Sequence, residues 1–123
     1  MNSINKPIYK LRFFFDYNCG GCLWAGNKAA YDKFDVGCLD SETIDLTGAI
    51  SSKAKIILPP AIRNKVIDLD NRYSKSLNWN DPGGESLWDK STWEKFYLET
   101  KALHKEISLN LGNLFEVVYE MEK

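Results

Sequence analysis

The fold is decided by the stretch IYKLRFFFDY at residues 8–17, in which apolar and polar side chains alternate. From Tyr9 to Phe15 every second side chain is apolar, which is the period of a strand with one face buried in a core. The aromatic residue Phe14 falls between these positions and predicts that the opposite face is at least partly covered. We therefore expect a first strand over residues 8–17.

A turn and a second strand follow directly. Asn18 and two glycines supply the backbone conformations with positive φ that a tight reversal needs. Residues 22–25 then return as a short strand, which predicts a hairpin. Asn27 is a favoured helix-capping residue and precedes a short helix predicted over residues 28–34.

The remaining elements are two long helices and a closing strand. Apolar residues recur at intervals of three and four behind a proline pair, which predicts a helix over Pro60–Lys75. Ser91 and Glu94 form a capping-box pattern at the start of a second long helix, which ends at Gly112. The β-branched and aromatic segment at residues 114–121 predicts a strand that pairs with the first one.

Together these elements predict an α+β fold, in which a small antiparallel sheet packs against about three helices. The sheet consists of the N-terminal hairpin paired with the C-terminal strand. The chain has 123 residues, of which 44% are hydrophobic and 13% aromatic, a size and composition typical of a single domain over residues 1–123.

The charge balance argues against nucleic acid and membranes as partners. A formal net charge of −1 gives no basic field that would attract nucleic acid or an anionic membrane. The first residues lack the apolar core of a signal peptide, and no window approaches the roughly 20 apolar residues of a membrane span. We therefore expect a cytoplasmic protein that binds neither nucleic acid nor membrane.

The CGGC sequence at residues 19–22 permits a thiol-disulfide oxidoreductase that uses Cys19 and Cys22. In thioredoxin-like proteins the reactive thiol lies at a helix N-terminus, where the helix dipole lowers its pKa. Here the predicted helix begins only after Asn27, too far along the chain for that effect. A hairpin with two dispensable thiols is the favoured interpretation, and the oxidoreductase is the alternative.

The sequence gives less support to a metal site or a hydrolytic active site than to a hairpin with dispensable thiols. Cys19 and Cys22 have the spacing of zinc ligands, but Cys38 and His104, which would complete a Cys₃His site, are isolated in the sequence. The single histidine, and the lack of a serine-hydrolase, zinc-protease or phosphate-loop motif, leave no catalytic constellation. We expect no catalytic residue, no metal and no cofactor, and hence no enzyme.

Charge is unevenly distributed along the chain. Residues 16–51 hold six acids and two lysines, whereas residues 53–75 hold six basic residues and two acids. An acidic loop within residues 35–55 would attract a basic partner and speed its association. A second loop, at residues 76–90, carries tryptophans beside acids, a combination that suits a protein interface. The alternative for the charged stretches is an ordinary solvated surface, and the alternative for the tryptophans is packing over the core. The predicted partner-binding residues are Asp35, Asp40, Glu42, Asp45, Trp79, Asp81, Glu85 and Trp88.

Three groups of aromatic residues carry a resemblance to a known class of proteins. They are FFFDY at residues 13–17, CLW at residues 22–24, and SLNW at residues 76–79 ahead of a Pro-Gly loop and Trp88. On these residues the chain resembles small bacterial immunity proteins encoded beside polymorphic or contact-dependent growth-inhibition toxins. The resemblance implies a cytosolic inhibitor that binds one cognate toxin domain, for example a basic nuclease domain, and occludes its active site. Interface residues vary within such groups, so the resemblance assigns none.

Overall fold

The structure is a computed structural model that describes residues 6–17, 19–34, 38–40 and 56–121. Within these residues it is an α+β fold, as predicted, with a three-stranded sheet and three helices. In chain order the elements are β1 (Tyr9–Phe13), β2 (Leu23–Ala25), α1 (Lys28–Lys33), α2 (Pro60–Lys75), α3 (Lys90–Leu111) and β3 (Phe115–Tyr119). The predicted order is confirmed, and β1 is shorter than the predicted strand.

β1 is the central strand of the sheet, whose strand order is β2-β1-β3. β1 and β2 are antiparallel, with Arg12 opposite Trp24, so the predicted pairing of these two strands is confirmed. β3 is parallel to β1, with Tyr9 opposite Phe115. The sheet is therefore mixed, and the prediction of an antiparallel sheet is wrong for the pair β1 and β3.

The direction of β3 follows from the course of α3. Near the start of this helix, the ring of Phe96 lies 6.2 Å from that of Phe15, just beyond the end of β1. The helix ends at Gly112, whose φ of 83° lets the chain reverse. Two residues later the carbonyl oxygen of Leu114 accepts a hydrogen bond from Tyr9 at the beginning of β1. Because α3 runs against β1, the reversal after it makes β3 parallel to β1.

One face of the sheet contributes to the core. Leu11 and Phe13 of β1 are fully buried there. The two long helices add apolar side chains to the same cluster, namely Val66, Leu69, Phe96, Leu103 and Ile107. Burying a side chain of this size contributes about 1.5–3 kcal/mol, so this cluster is the main source of stability.

The opposite face of the sheet carries a stack of three side chains. The rings of Phe14 and Trp24 are stacked nearly parallel with their centres 4.8 Å apart, and the guanidinium of Arg12 lies 5.0 Å from the centre of the Phe14 ring. The indole Nε1 of Trp24 donates a hydrogen bond to the carbonyl oxygen of Phe14 at 3.0 Å. The predicted partial cover of Phe14 is thus provided by its neighbours in the sheet.

Residues 38–40 lie alongside β2. Cys38 forms an isolated antiparallel bridge with Trp24, and the N–H of Leu39 donates to the carbonyl oxygen of Leu23 at 2.7 Å. No period holds over residues 35–55, which predicts a long surface loop or short extended pieces, and most of this range lies outside the described residues. The three residues that are described extend the β2 edge of the sheet.

The helix starts predicted for α1 and α2 are confirmed. The side chain of Asn27 caps α1 by accepting a hydrogen bond from the N–H of Ala30 at 3.0 Å. α2 begins at Pro60, where the missing N–H of proline costs the first turn nothing.

The start of α3 differs from the predicted capping box. The helix is capped by Asp89, whose carboxylate accepts a hydrogen bond from the N–H of Thr92 at 2.8 Å. Ser91 and Glu94 therefore lie inside the helix, and their predicted function as a capping box is wrong. Aspartate and serine are both strong caps, so the local sequence alone does not decide which residue starts the helix.

Replacing Gly21 by alanine should lower the free energy of unfolding by about 1–3 kcal/mol, the usual cost of overpacking a buried site. An added Cβ would lie 2.5 Å from both the thiol of Cys38 and a carboxylate oxygen of Asp40. Gly83→Ala is the matched control, since an added Cβ there meets no atom within 4 Å. Denaturant unfolding would measure both variants, and an equal effect would contradict the tight packing at Gly21.

Replacing Asp89 by alanine should lower the melting temperature near neutral pH and have little effect in acid. Hydrogen bonds from the side chain and N–H of Thr92 lower the pKa of Asp89 below its ordinary value. The cap therefore stabilises the fold above the unfolded-state pKa, and this contribution is lost as the pH falls through the folded-state pKa.

Thermal unfolding followed by circular dichroism over a pH series would test this expectation. Asp81→Ala is the control, because it removes an exposed carboxylate that caps no helix. A larger loss of stability from Ser91→Ala than from Asp89→Ala would instead support the capping box.

Candidate functional site

Asp40 is buried beside the start of β2. Its carboxylate accepts hydrogen bonds from the backbone N–H groups of Cys22 and Leu23, with N–O distances of 3.0 and 2.9 Å. The guanidinium of Arg63 in α2 lies 3.9 Å from the same carboxylate and compensates its charge. Asp40 thus joins the β2 edge to α2, and its side chain is unavailable to a partner in this structure.

The other acids predicted in the first loop are Asp35, Glu42 and Asp45. They lie outside the described residues, so their function in partner binding stays a prediction.

The basic residues of α2 are engaged within the chain. Lys65 pairs with Glu106 of α3 at 2.6 Å, and Arg72 pairs with Glu99 of α3 through two hydrogen bonds. These contacts place α2 and α3 side by side in opposite directions. Part of the basic stretch is therefore matched by acids of α3 and, through Arg63, by Asp40 of the acidic stretch.

Trp79 lies in the loop between α2 and α3, and 54% of it is exposed. Its indole Nε1 donates a hydrogen bond to the carbonyl oxygen of Ser74 at 3.0 Å, which fixes the orientation of the ring. The rings of Trp79 and Tyr17 meet edge to face, with 5.8 Å between their centres. A large aromatic side chain held in place and still open to solvent is a favourable anchor for a protein interface.

Trp88, at the far end of the same loop, is half-buried. Its ring lies 4.7 Å from that of Trp93 and 5.0 Å from that of Phe96, a fully buried residue of α3. The alternative of a tryptophan packed over the core therefore describes Trp88 better than a partner-binding function does.

Asp81 and Glu85 are exposed in the loop that carries Trp79. The N–H of Asp81 donates to the carbonyl oxygen of Asn78, and the return limb of the loop is tied to the end of α2 by hydrogen bonds to the carbonyl oxygen of Ser76. These bonds give the loop a defined shape around Trp79.

Asp16 and Tyr17 adjoin this loop, although sequence reasoning did not place them in the site. The carboxylate of Asp16 accepts the N–H of Tyr17 at 2.8 Å, and the ring of Tyr17 stacks on that of Tyr73 at 4.8 Å. Burial raises the pKa of Tyr73, and the hydrogen bond with Tyr17 and the charge of Asp16 add to the rise. We call the group of Asp16, Tyr17, Trp79, Asp81 and Glu85 the Trp79 surface.

The thiols of Cys22 and Cys38 contact Asp40, whereas the thiol of Cys19 donates to the carbonyl oxygen of Tyr17. Cys22 leads directly into β2 rather than into a helix, and α1 begins only at Lys28. Burial is the largest cause that raises the pKa of Cys19, Cys22 and Cys38, and nearby carboxylates raise each pKa further. This environment favours the neutral thiol, so the geometry gives the oxidoreductase alternative no support.

His104 of α3 is separated from the thiols. Its Nε2 donates a hydrogen bond to the carbonyl oxygen of Val117 in β3 at 2.6 Å, and its ring meets the edges of Phe13 and Tyr119. Within residues 6–17, 19–34, 38–40 and 56–121, no group of three or more His, Cys, Asp or Glu side chains could hold a metal ion. The Cys₃His site is therefore not assembled.

The described part of the chain thus combines a small α+β fold with a shaped aromatic and acidic surface, an arrangement typical of a protein that acts by binding another protein. None of its helices is long and apolar enough to cross a membrane.

The family model of Serratia CdiI immunity protein-like proteins matches residues 9–122. The chain belongs to this family, and the membership supports an immunity role as the inhibitor of a toxin. No curated protein compared with the chain matches it.

All three thiols should react with iodoacetamide more slowly than free N-acetylcysteine near neutral pH, because a raised pKa leaves less thiolate. We expect Cys19 to react first, since it is partly exposed, and the buried Cys22 to react only when the protein unfolds. Mass spectrometry of timed samples would measure the order, with denatured protein as the control. If Cys19 or Cys22 of the folded protein reacted with iodoacetamide faster than the free thiol, the result would support the oxidoreductase alternative.

Proposed function

We propose that this chain binds one cognate toxin domain and neutralises it by covering the active site of that domain. The family match supports the immunity role. The observation that carries the mechanism is the Trp79 surface, in which a fixed aromatic ring is exposed among carboxylates. Inhibition by occlusion requires no catalytic residue in the inhibitor, so we propose a non-enzymatic protein without a cofactor.

Trp79 is the proposed anchor of the interface. Tryptophan is among the residues that contribute most at protein interfaces, where removing one that is well packed costs about 2 kcal/mol or more of binding free energy. Its hydrogen bond to Ser74 and its contact with Tyr17 order the ring before the partner arrives. Less conformational entropy is then lost on association.

Charge is the second contribution that we propose. Asp16 adjoins Tyr17, and Asp81 and Glu85 are exposed in the loop that carries Trp79, so a basic toxin surface would be attracted to these three carboxylates. If the toxin is a nuclease, these carboxylates would occupy the positions of substrate phosphates. Asp35, Glu42 and Asp45 would extend the same acidic character and remain proposed contacts. The complex would form in the cytoplasm, where a toxin delivered into the cell acts.

The test of this function is co-expression with the toxin domain encoded by the adjacent gene. We expect the chain to restore growth and to co-purify with that domain as a stable complex. Neither rescue nor a complex with the cognate domain would refute the proposal.

The double variant Asp81→Lys/Glu85→Lys should lower the association rate constant by about tenfold at low ionic strength, because charge steering speeds encounter of complementary surfaces. The loss should shrink as salt screens the charges. Surface plasmon resonance at several salt concentrations would measure both effects.

The matched control is Asp32→Lys/Glu116→Lys, which makes the same change in net charge. Both residues are exposed and lie near the beginning of β1, whereas the Trp79 surface lies beyond its end. Equal losses in the two double variants would mean that net charge, and not the Trp79 surface, directs association.

A further inference from the structure

The aromatic rings of this protein differ in whether the chain supplies them with a cation. The guanidinium of Arg12 covers Phe14 at 5.0 Å, and the ammonium of Lys33 lies 5.9 Å from the ring centre of Tyr9. Arg72 likewise lies 5.9 Å from the ring centre of Phe96. In each case a positive charge rests against the negative face of a ring.

Trp79 and Tyr17 have no such cation among the described residues, although Asp16 adjoins Tyr17 and the exposed Asp81 follows Trp79 by two residues. Asp16 uses one carboxylate oxygen to accept the N–H of Tyr17. Within the described part of the chain, its other oxygen and the carboxylate of Asp81 have no cationic partner. Aromatic faces and unpaired carboxylates are the two groups that bind a cation, and here they occur together without one.

A further carboxyl group, that of Asp70, interacts electrostatically with Asp16 of the Trp79 surface. Asp70 of α2 is 5% exposed and accepts the N–H of Gly20 at 3.3 Å through one oxygen, while its other oxygen has no hydrogen-bond partner among the described residues. Burial raises the pKa of Asp70, and the charge of Asp16 adds to the rise, so the two carboxylates are close enough to interact. Asp70 is therefore a buried carboxyl group near Asp16, and the charge of Arg63 partly offsets the rise in its pKa.

We propose that the Trp79 surface is a receptor for one arginine side chain of the toxin, whose guanidinium lies against the Trp79 ring and pairs with Asp16 or Asp81. This inference rests on the proposed function and adds the chemistry of the contact. Arginine fits better than lysine, because a planar guanidinium stacks on an indole and binds a carboxylate through two parallel hydrogen bonds.

A small-molecule titration tests the receptor without the toxin. N-acetyl-arginine amide, added to the full chain, should shift the NMR signals of the Trp79 and Tyr17 rings in a saturable way. N-acetyl-citrulline amide, an uncharged analogue of similar shape, should shift them far less at the same concentration. The variant Asp16→Asn/Asp81→Asn should lose the response to arginine while keeping both rings.

The stacked rings of Phe14 and Trp24 are the internal control, because Arg12 already covers Phe14. Equal shifts with the two compounds, or equal shifts at Phe14 and Trp79, would overturn the proposal. No response at Trp79 up to the solubility limit of the arginine compound would overturn it as well.

The complex with the toxin domain provides a second test. Trp79→Phe keeps an aromatic face, whereas Trp79→Leu keeps only apolar area. We expect the dissociation constant to rise by less than about threefold for Trp79→Phe and by about tenfold or more for Trp79→Leu, in line with the strength of a partly desolvated cation–π contact. Leu87→Ala, an exposed apolar change in the same loop, controls for general loop effects.

The outcomes separate this inference from the proposed function. If the wild-type chain protects cells and binds the toxin, but Trp79→Phe and Trp79→Leu weaken binding equally, the arginine receptor is wrong and the immunity function stands. If the wild-type chain does not bind the toxin at all, the proposed function fails, and the titration with N-acetyl-arginine amide still decides whether the cation site exists.

Discussion

The burial of one face of β1 is the constraint on which the rest of the structure depends. Leu11 and Phe13 are fully removed from solvent, and both neighbouring strands of the sheet pair with β1. A buried strand face needs apolar cover, which α3 and α2 supply by running in opposite directions over the core. The course of α3 then places β3 parallel to β1, so the mixed sheet is a consequence of how the face is covered.

Asp40 shows how a polar group can organise a small apolar domain. Its carboxylate accepts backbone N–H groups at the entry to β2, receives the thiol of Cys38 at 3.3 Å, and lies near Arg63 of α2. Hydrogen bonds to a charged acceptor contribute about 1.5–3 kcal/mol each, and an unpaired buried carboxylate would cost as much or more. Burial raises the pKa of Cys22 and Cys38, and the charge of Asp40 raises it further, which favours the neutral thiol at both residues.

The Trp79 surface and the buried group around Asp40 consist of different residues but lie close together. The end of β1, the end of α2 and the loop after α2 meet there, and each contributes a different group: Asp16 and Tyr17, Tyr73, and Trp79. Because the loop is held by hydrogen bonds to the end of α2, the exposed indole is presented on a rigid base. A side chain that is ordered before association loses less conformational entropy when a partner binds.

The sequence by itself determined the class of fold, the order of the elements, the bounds of α2 and the cap of α1. These features follow from periodicity and capping, which depend on residues that are close together in the sequence. Only the tertiary structure decided the direction of β3, the burial of Asp40 and Trp88, and the joining of Asp16 and Tyr17 to Trp79. Each of these depends on which distant segments meet, and a local pattern carries no information on that. A charge count along the chain could indicate an acidic surface, but burial decided which of the described acids belong to the interior and which are exposed.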